Sequence, residues 1–246
     1  MGVQGTPAFF INKWFISGAV PYEQFQSTIE KALAGKNPPP TPTALPQGVA
    51  PYDADPGRPG FTYDGSPTLG DAKAPLVLIE FMDFQCGDCA RFVKEVQPSL
   101  QDKYVQPGQM RLVMKYLPTR APEAATAAQC AARQGKFWDY YKLLFDKQSE
   151  WQPGNKDQLL AYAKSLGLDE TKLQQCLSDE TVQQTIDADQ ELAQQLGIQA
   201  PPYFLLLNVK QQAGVRIPGL PTMSQMEQQI QKVSAPPPTG TPAPTP

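Results

Sequence analysis

The chain has 246 residues, 41% of them hydrophobic, with 21 Lys and Arg against 24 Asp and Glu and a formal net charge of −3. That composition suits one large domain or two small ones, and a near-neutral chain without a basic patch interleaved with aromatics speaks against a nucleic-acid partner. There is no histidine, which removes Ser-His-Asp and Cys-His catalysis and most zinc sites from consideration.

The N-terminus, MGVQGTPAFFINKWF, lacks a basic n-region, a long apolar stretch and a cleavage site, so it does not read as a signal peptide. No run in the chain reaches the ~18 apolar residues of a membrane span. The opening segment has a counterpart further on. Gly2-Val3-Gln4-Gly5-Thr6-Pro7-Ala8-Phe9-Phe10 resembles Gly197-Ile198-Gln199-Ala200-Pro201-Pro202-Tyr203-Phe204-Leu205. Each has a Gly-aliphatic-Gln turn, a proline at the same place and an apolar strand, followed by a polar-apolar helix, roughly Pro21–Leu33 and Thr222–Val233. A strand-strand-helix piece of this size buries little core alone. Residues 1–35 therefore read as the last third of an upstream domain of the same kind; the alternative is an extra layer packed on the later domain. The chain has 27 prolines, and most of the excess lies in the stretch Asn37–Pro67 and the tail Ala235–Pro246. These predict a linker over 36–64 and an extended tail over 235–246.

Between Pro75 and Arg91 the sequence reads PLVLIEFMDFQCGDCAR. Leu76 to Phe81 is a short, nearly continuous apolar run of the kind found in strands buried on both faces. Cys86-Gly87-Asp88-Cys89 follows, and from Ala90 the pattern turns helical, with Phe92, Val93, Val96 and Leu100 on one face. A second apolar strand spans Met110–Leu117. The unit is strand, helix, strand, with CxxC where the first strand meets the helix. A thiol at a helix N-terminus sits among unpaired N–H groups at the positive end of the dipole, which stabilises its thiolate. Cys86 is then the exposed nucleophile and Cys89 the partner that resolves a mixed disulfide. Half a zinc site is the competing reading of CxxC, but only Cys130 and Cys176 remain as further sulfur ligands, far apart in the chain. A merely structural disulfide at the turn is the other.

The run EFMDFQCGDC, the later AAQCAARQGKFWDYYKLLF and the strand GIQAPPYF resemble the DsbA-like branch of the thioredoxin superfamily, in the family's order and over about Gly65–Val233. The resemblance implies an α/β thioredoxin fold over 65–234, a helical insertion at about 121–196, and residues 1–35 as the C-terminal fragment of an upstream DsbA-like domain, a partial repeat of the fold. It implies that Pro202 is the cis-proline facing the disulfide and that Gly87, Asp88, Pro201 and Pro202 shape a groove for substrate. Glu80, six residues before Cys86, takes the place of the buried acid that helps move the proton of the second cysteine; a paired or edge-exposed carboxylate is its alternative reading. Cys130 and Cys176 match a second, structural disulfide of some relatives, for which the chain-entropy model gives roughly 4 kcal/mol. Otherwise they are buried free thiols. With all four cysteines paired, an oxidising compartment such as the periplasm or envelope is favoured.

The implied activity is thiol–disulfide exchange with cysteine-containing extracytoplasmic proteins, with no metal or organic cofactor and a separate redox partner to recycle the pair. The alternatives are a reductase or isomerase, and a peptide-binding module of a tandem protein. A copper-handling thiol protein of the same fold is disfavoured, because no His or Met cluster adjoins the CxxC. Two positions depart from the family. An acid at position 88, where oxidising relatives place His, predicts a raised Cys86 pKa and a potential between about −270 mV (thioredoxin) and about −120 mV (DsbA). Pro201 lacks the N–H that would pair with an extended substrate, which predicts weaker peptide binding.

Overall fold

The structure, a computed structural model, describes residues 8–11, 14–17, 26, 29, 30, 33 and 52–235. It divides into two units, Met1–Gln47 and Gly48–Pro246. In the first, β1 (Ala8–Ile11) pairs antiparallel with β2 (Trp14–Ser17), Phe9 opposite Ile16. Helical backbone is described at Gln26, Ile29, Glu30 and Leu33. The rest of the expected helix Pro21–Leu33, residues 36–51 of the expected linker and the tail beyond Ala235 lie outside the described residues, and with them most of the expected partial repeat.

The second unit is built on a five-stranded sheet in the order β3-β5-β4-β6-β7. Its strands are β3 (Thr68–Leu69), β4 (Leu76–Met82), β5 (Met110–Tyr116), β6 (Tyr203–Asn208) and β7 (Ala213–Pro218). β4 runs parallel to β5, Glu80 opposite Met114, and antiparallel to β6, Glu80 opposite Phe204. Both faces of β4 are covered, and all of its residues are buried, which is why the strand reads as an apolar run broken only by Glu80. On one face Leu76, Leu78, Met82, Met110, Leu112, Phe204 and Leu206 join the large core. On the other, Val77, Ile79, Phe81 and Val113 pack with Ala193 and Ile198.

Between β4 and β5 comes α1 (Gly87–Arg91), continued by a π turn Phe92–Val96, α2 (Gln97–Leu100) and a second π turn Gln101–Val105. Pro98, just inside α2, has no N–H to continue the regular ladder. Between β5 and β6 stand α3 (Pro122–Arg133), α4 (Phe137–Asp146), α5 (Lys156–Ser165), α6 (Glu170–Leu177) and α7 (Glu180–Gln195). Cys130 of α3 is disulfide-bonded to Cys176 of α6. The chain's last described helix is α8 (Met223–Ser234), opened by a capping box of Thr222 and Gln225.

The expected linker over 36–64 needs correction at its C-terminal end. Residues from Tyr52 onward belong to the folded unit, because two buried cations on β5 hold them. Arg111 donates to the carbonyls of Tyr52 (2.8 Å) and Ala72 (3.3 Å), and Lys115 pairs with Asp64 and, at 2.8 Å, with Asp189. Thr62 and Ser66 are fully buried, and both hydroxyls contact the Asp64 carboxylate.

Candidate active site

At the end of β4 the chain must turn sharply into α1, and Asp83 makes the turn. Its Oδ1 accepts from the Gln85 N–H at 2.7 Å, and its backbone carbonyl accepts from the Cys86 N–H at 3.0 Å. Its Oδ2 accepts from Thr119 Oγ1 (2.7 Å) and the Arg120 N–H (2.8 Å), tying the turn to the loop after β5. From the other side Gln148 Nε2 donates to the carbonyls of Phe84 (2.9 Å) and Cys86 (3.0 Å). The loop that carries the cysteines is therefore fixed by side chains from three elements. Sequence reasoning missed both Asp83 and Gln148; a short polar residue just before the CxxC was a signal for the first, and nothing marked the second.

Cys86 caps α1. Its backbone is extended, at φ −80° and ψ 120°, and its sulfur accepts the Cys89 N–H at 3.1 Å. The Cys86 thiol also faces the Pro201 carbonyl at 3.5 Å. Cys86 is half-buried and Cys89 fully buried, both as free thiols. The Cys86 thiol is held below its ordinary value, first by the hydrogen bond from the Cys89 thiol and then by the Cys89 and Asp88 backbone N–H groups; burial and the Asp83 charge oppose this. The Cys89 thiol is pushed far up, first by burial and then by Cys86. The two sulfurs are thus unlike: one favours the thiolate and the other resists it.

This overturns the expectation for Asp88. Its side chain is 59% exposed and lies 3.6 Å from Arg91, so water and a cation screen its charge. What reaches Cys86 from this residue is its backbone N–H, which favours the thiolate. Gly87 is exposed as well, and a Cβ there would meet nothing within 4 Å.

Glu80 points from β4 into the large core, on the sheet face that also carries Cys89. It is fully buried, and burial raises its carboxyl to about 8. Its Oε2 lies 3.4 Å from the Tyr141 hydroxyl, while Oε1 has no partner among the described residues. The Pro201–Pro202 bond is cis, and Pro202 is buried with its carbonyl accepting from the Gly219 N–H at 3.0 Å. The structure brings Cys86, Cys89 and Pro201 together, with Pro202 beside them in the chain and Glu80 beneath the sheet surface. Cys130 and Cys176 lie apart from them on α3 and α6. Beside the CxxC an open groove of about 470 Å³ runs between Asp88, Arg91 and Glu95 on one wall and Leu220, Thr222 and Met223 on the other.

The family model described as Thioredoxin matches residues 62–231, so the match begins inside the segment that β5 holds down. Disulfide bond formation protein D of Bacillus subtilis is 30% identical over 161 residues, which cover 61% of this chain and 70% of that protein. The Na(+)/H(+) antiporter NhaA 3 of Salinispora tropica is 31% identical over 142 residues, 56% of this chain but only 21% of the antiporter. Among solved structures, alpha-DsbA1 of Wolbachia pipientis superposes with a TM-score of 0.62 at 25% identity, covering 68% of this chain and 90% of that one. BdbD of Bacillus subtilis shares the fold, with a TM-score of 0.59 at 24% identity over 70% of this chain and 95% of that one. A thioredoxin sheet, a helical insertion and two unlike thiols at the strand-to-helix turn agree with these likenesses, and the chain belongs to the thioredoxin family as a DsbA-like thiol–disulfide oxidoreductase.

Proposed function

We propose that the chain oxidises cysteine pairs of extracytoplasmic proteins through Cys86 and Cys89. A substrate thiolate attacks Cys86 of the enzyme disulfide, the Cys86–Cys89 bond breaks, and Cys89 leaves and takes up a proton. A second substrate thiolate then attacks the substrate sulfur of the mixed disulfide and releases the Cys86 thiolate. The observation that carries this is the Cys86 sulfur at the helix start, half-buried and accepting a backbone N–H, with Cys89 buried behind it. A stabilised Cys86 thiolate favours the reduced enzyme, and hence an oxidising disulfide. A separate redox partner restores the disulfide. The bonded Cys130–Cys176 pair supports an oxidising compartment. Among the described residues no helix is long and apolar enough to cross a membrane.

Titration of the pair in glutathione buffers, with alkylation and mass spectrometry following each cysteine, tests the direction of electron flow. We expect a potential above about −200 mV. A value near thioredoxin's would make the chain a reductase or isomerase, and no reversible titration would leave a peptide-binding module.

Pro201 carries a narrower prediction. An extended substrate pairing beside the disulfide finds the Pro201 carbonyl but no N–H. Pro201→Thr restores that donor and is expected to tighten a cysteine-containing peptide roughly fivefold, the size of one net hydrogen bond of about 1 kcal/mol. Equal affinity by fluorescence titration of the Cys86 mixed-disulfide exchange would remove this residue from the groove.

A further inference from the structure

The Cys86 sulfur is held from within its own helix by the Cys89 N–H, but the backbone beneath it is held from outside. The holder is Gln148, the first residue of the single 3-10 turn Gln148–Glu150 that follows α4 in the helical insertion. A side-chain amide carries two hydrogens, and Gln148 directs both to the turn that bears the cysteines. Its Nε2 donates to the Phe84 carbonyl at 2.9 Å and to the Cys86 carbonyl at 3.0 Å. One amide that bridges these two carbonyls fixes the backbone on both sides of Gln85, and with it the direction in which the Cys86 side chain leaves.

The attachment is reciprocal. Gln85 Nε2 points the opposite way, to the carbonyls of Trp151 (3.2 Å) and Gln148 (3.5 Å). Trp151 is buried, with its indole N–H on the Leu144 carbonyl at 3.1 Å, so the far end of the clasp is anchored in the insertion. The two glutamines differ in what they do to charge. The Cys86 carbonyl already accepts the Ala90 N–H at 3.1 Å, and Gln148 adds a second donor to it. That oxygen belongs to the same residue as the reactive sulfur, and its partial negative charge opposes a thiolate there; a donor placed on it offsets the opposition. In the disulfide the sulfur carries no charge, so the Gln148 amide favours the reduced enzyme over the oxidised one. The Gln85 amide faces carbonyls of the insertion instead.

We propose that Gln148 is a positioning residue for the exchange: through the Phe84 and Cys86 carbonyls it aims the Cys86 sulfur at the Cys89 N–H and eases the build-up of charge on that sulfur, so that the helical insertion sets how strongly the disulfide oxidises. The inference rests on the exchange mechanism above, and Gln148 acts in it through the backbone rather than on either sulfur.

The test is titration of the Cys86–Cys89 pair in glutathione buffers, together with the ultraviolet absorbance of the Cys86 thiolate against pH. Gln148→Met keeps the length of the side chain and removes both donors. Its glutathione equilibrium should move about fivefold toward the enzyme disulfide, the size of one net hydrogen bond, which is about 20 mV, and Cys86 should ionise less readily by the same factor. Gln148→Lys returns donors to the same carbonyls and should reverse both shifts. Gln85→Met removes the reverse bonds, so it should lower the stability to urea while moving neither readout. If the wild-type pair shows no reversible titration, the exchange mechanism itself fails and this inference with it. If the pair titrates and Gln148→Met moves neither readout, or Gln85→Met moves both as far, only the positioning role is overturned.

Discussion

Cys89→Ser should stop turnover and leave the enzyme bonded through Cys86 to the first disulfide it meets. Serine keeps the size of the buried side chain, and its backbone N–H still donates to the Cys86 sulfur as Cys89 does at 3.1 Å. Cys86 therefore keeps its position at the head of α1 and its ability to attack. What is lost is the second sulfur, which in the reverse direction, with an oxidised peptide, displaces the peptide from Cys86 from within the same helical turn. A well-placed intramolecular group competes at effective concentrations that no solution thiol reaches, so release of the adduct should slow on the order of 10³-fold or more. Incubation with an oxidised peptide and non-reducing mass spectrometry should show one adduct, on Cys86, while Cys130 and Cys176 remain bonded to each other. Cys86→Ser should form no adduct at all. Turnover by Cys89→Ser within tenfold of the wild type, or an adduct on another cysteine, would remove Cys89 from the mechanism.

The strand, turn and helix around the cysteines were legible because their signals are local. Leu76–Phe81 is apolar at every position but Glu80, since both of its faces are buried, and Cys86 marks the helix start because its own sulfur is the cap. The electrostatics were not legible, because a neighbour in sequence is not a neighbour in charge. One helical turn aims the Asp88 N–H at the Cys86 sulfur while sending its carboxylate to water and Arg91. Gln148 reaches the turn, and Tyr141 reaches Glu80, through contacts distant in sequence that no spacing announces, whereas a short polar residue before the CxxC was a signal for Asp83. The folded part of the proline-rich stretch was missed for a related reason. Nothing in its own composition supplies a core; what holds it is Arg111 and Lys115, two buried cations of the strand Met110–Tyr116.

That strand leads to the second large effect. Lys115 is 2% exposed, on the sheet face opposite the large core, and holds Asp64 and Asp189 at once. Asp189 also accepts the Tyr116 N–H at 2.9 Å. Lys115→Met fits the same space but leaves the buried Asp189 and the part-buried Asp64 without a cation, which should cost about 3–5 kcal/mol of unfolding free energy near pH 8. The pH dependence separates charge from packing. Burial raises the Asp189 carboxyl from 3.8 to about 6 even with Lys115 present, whereas Asp64 is lowered by the lysine. Between those two Asp189 values the folded state binds a proton that the unfolded state does not, so Asp189 adds stability as pH falls through about 6. Without the lysine its carboxyl rises further, the proton is taken up at higher pH, and the penalty shrinks toward pH 5. Asp64 loses the same cation, so its burial also favours the protonated form in the variant, opposed by the Thr62 and Ser66 hydroxyls. Urea unfolding of both proteins at pH 8 and pH 5 should show the difference narrowing, and Asp189→Asn added to Lys115→Met should recover part of it at pH 8. A difference that stays constant with pH would mean that the methylene stem of Lys115, and not its charge, fastens the 52–73 segment to the sheet.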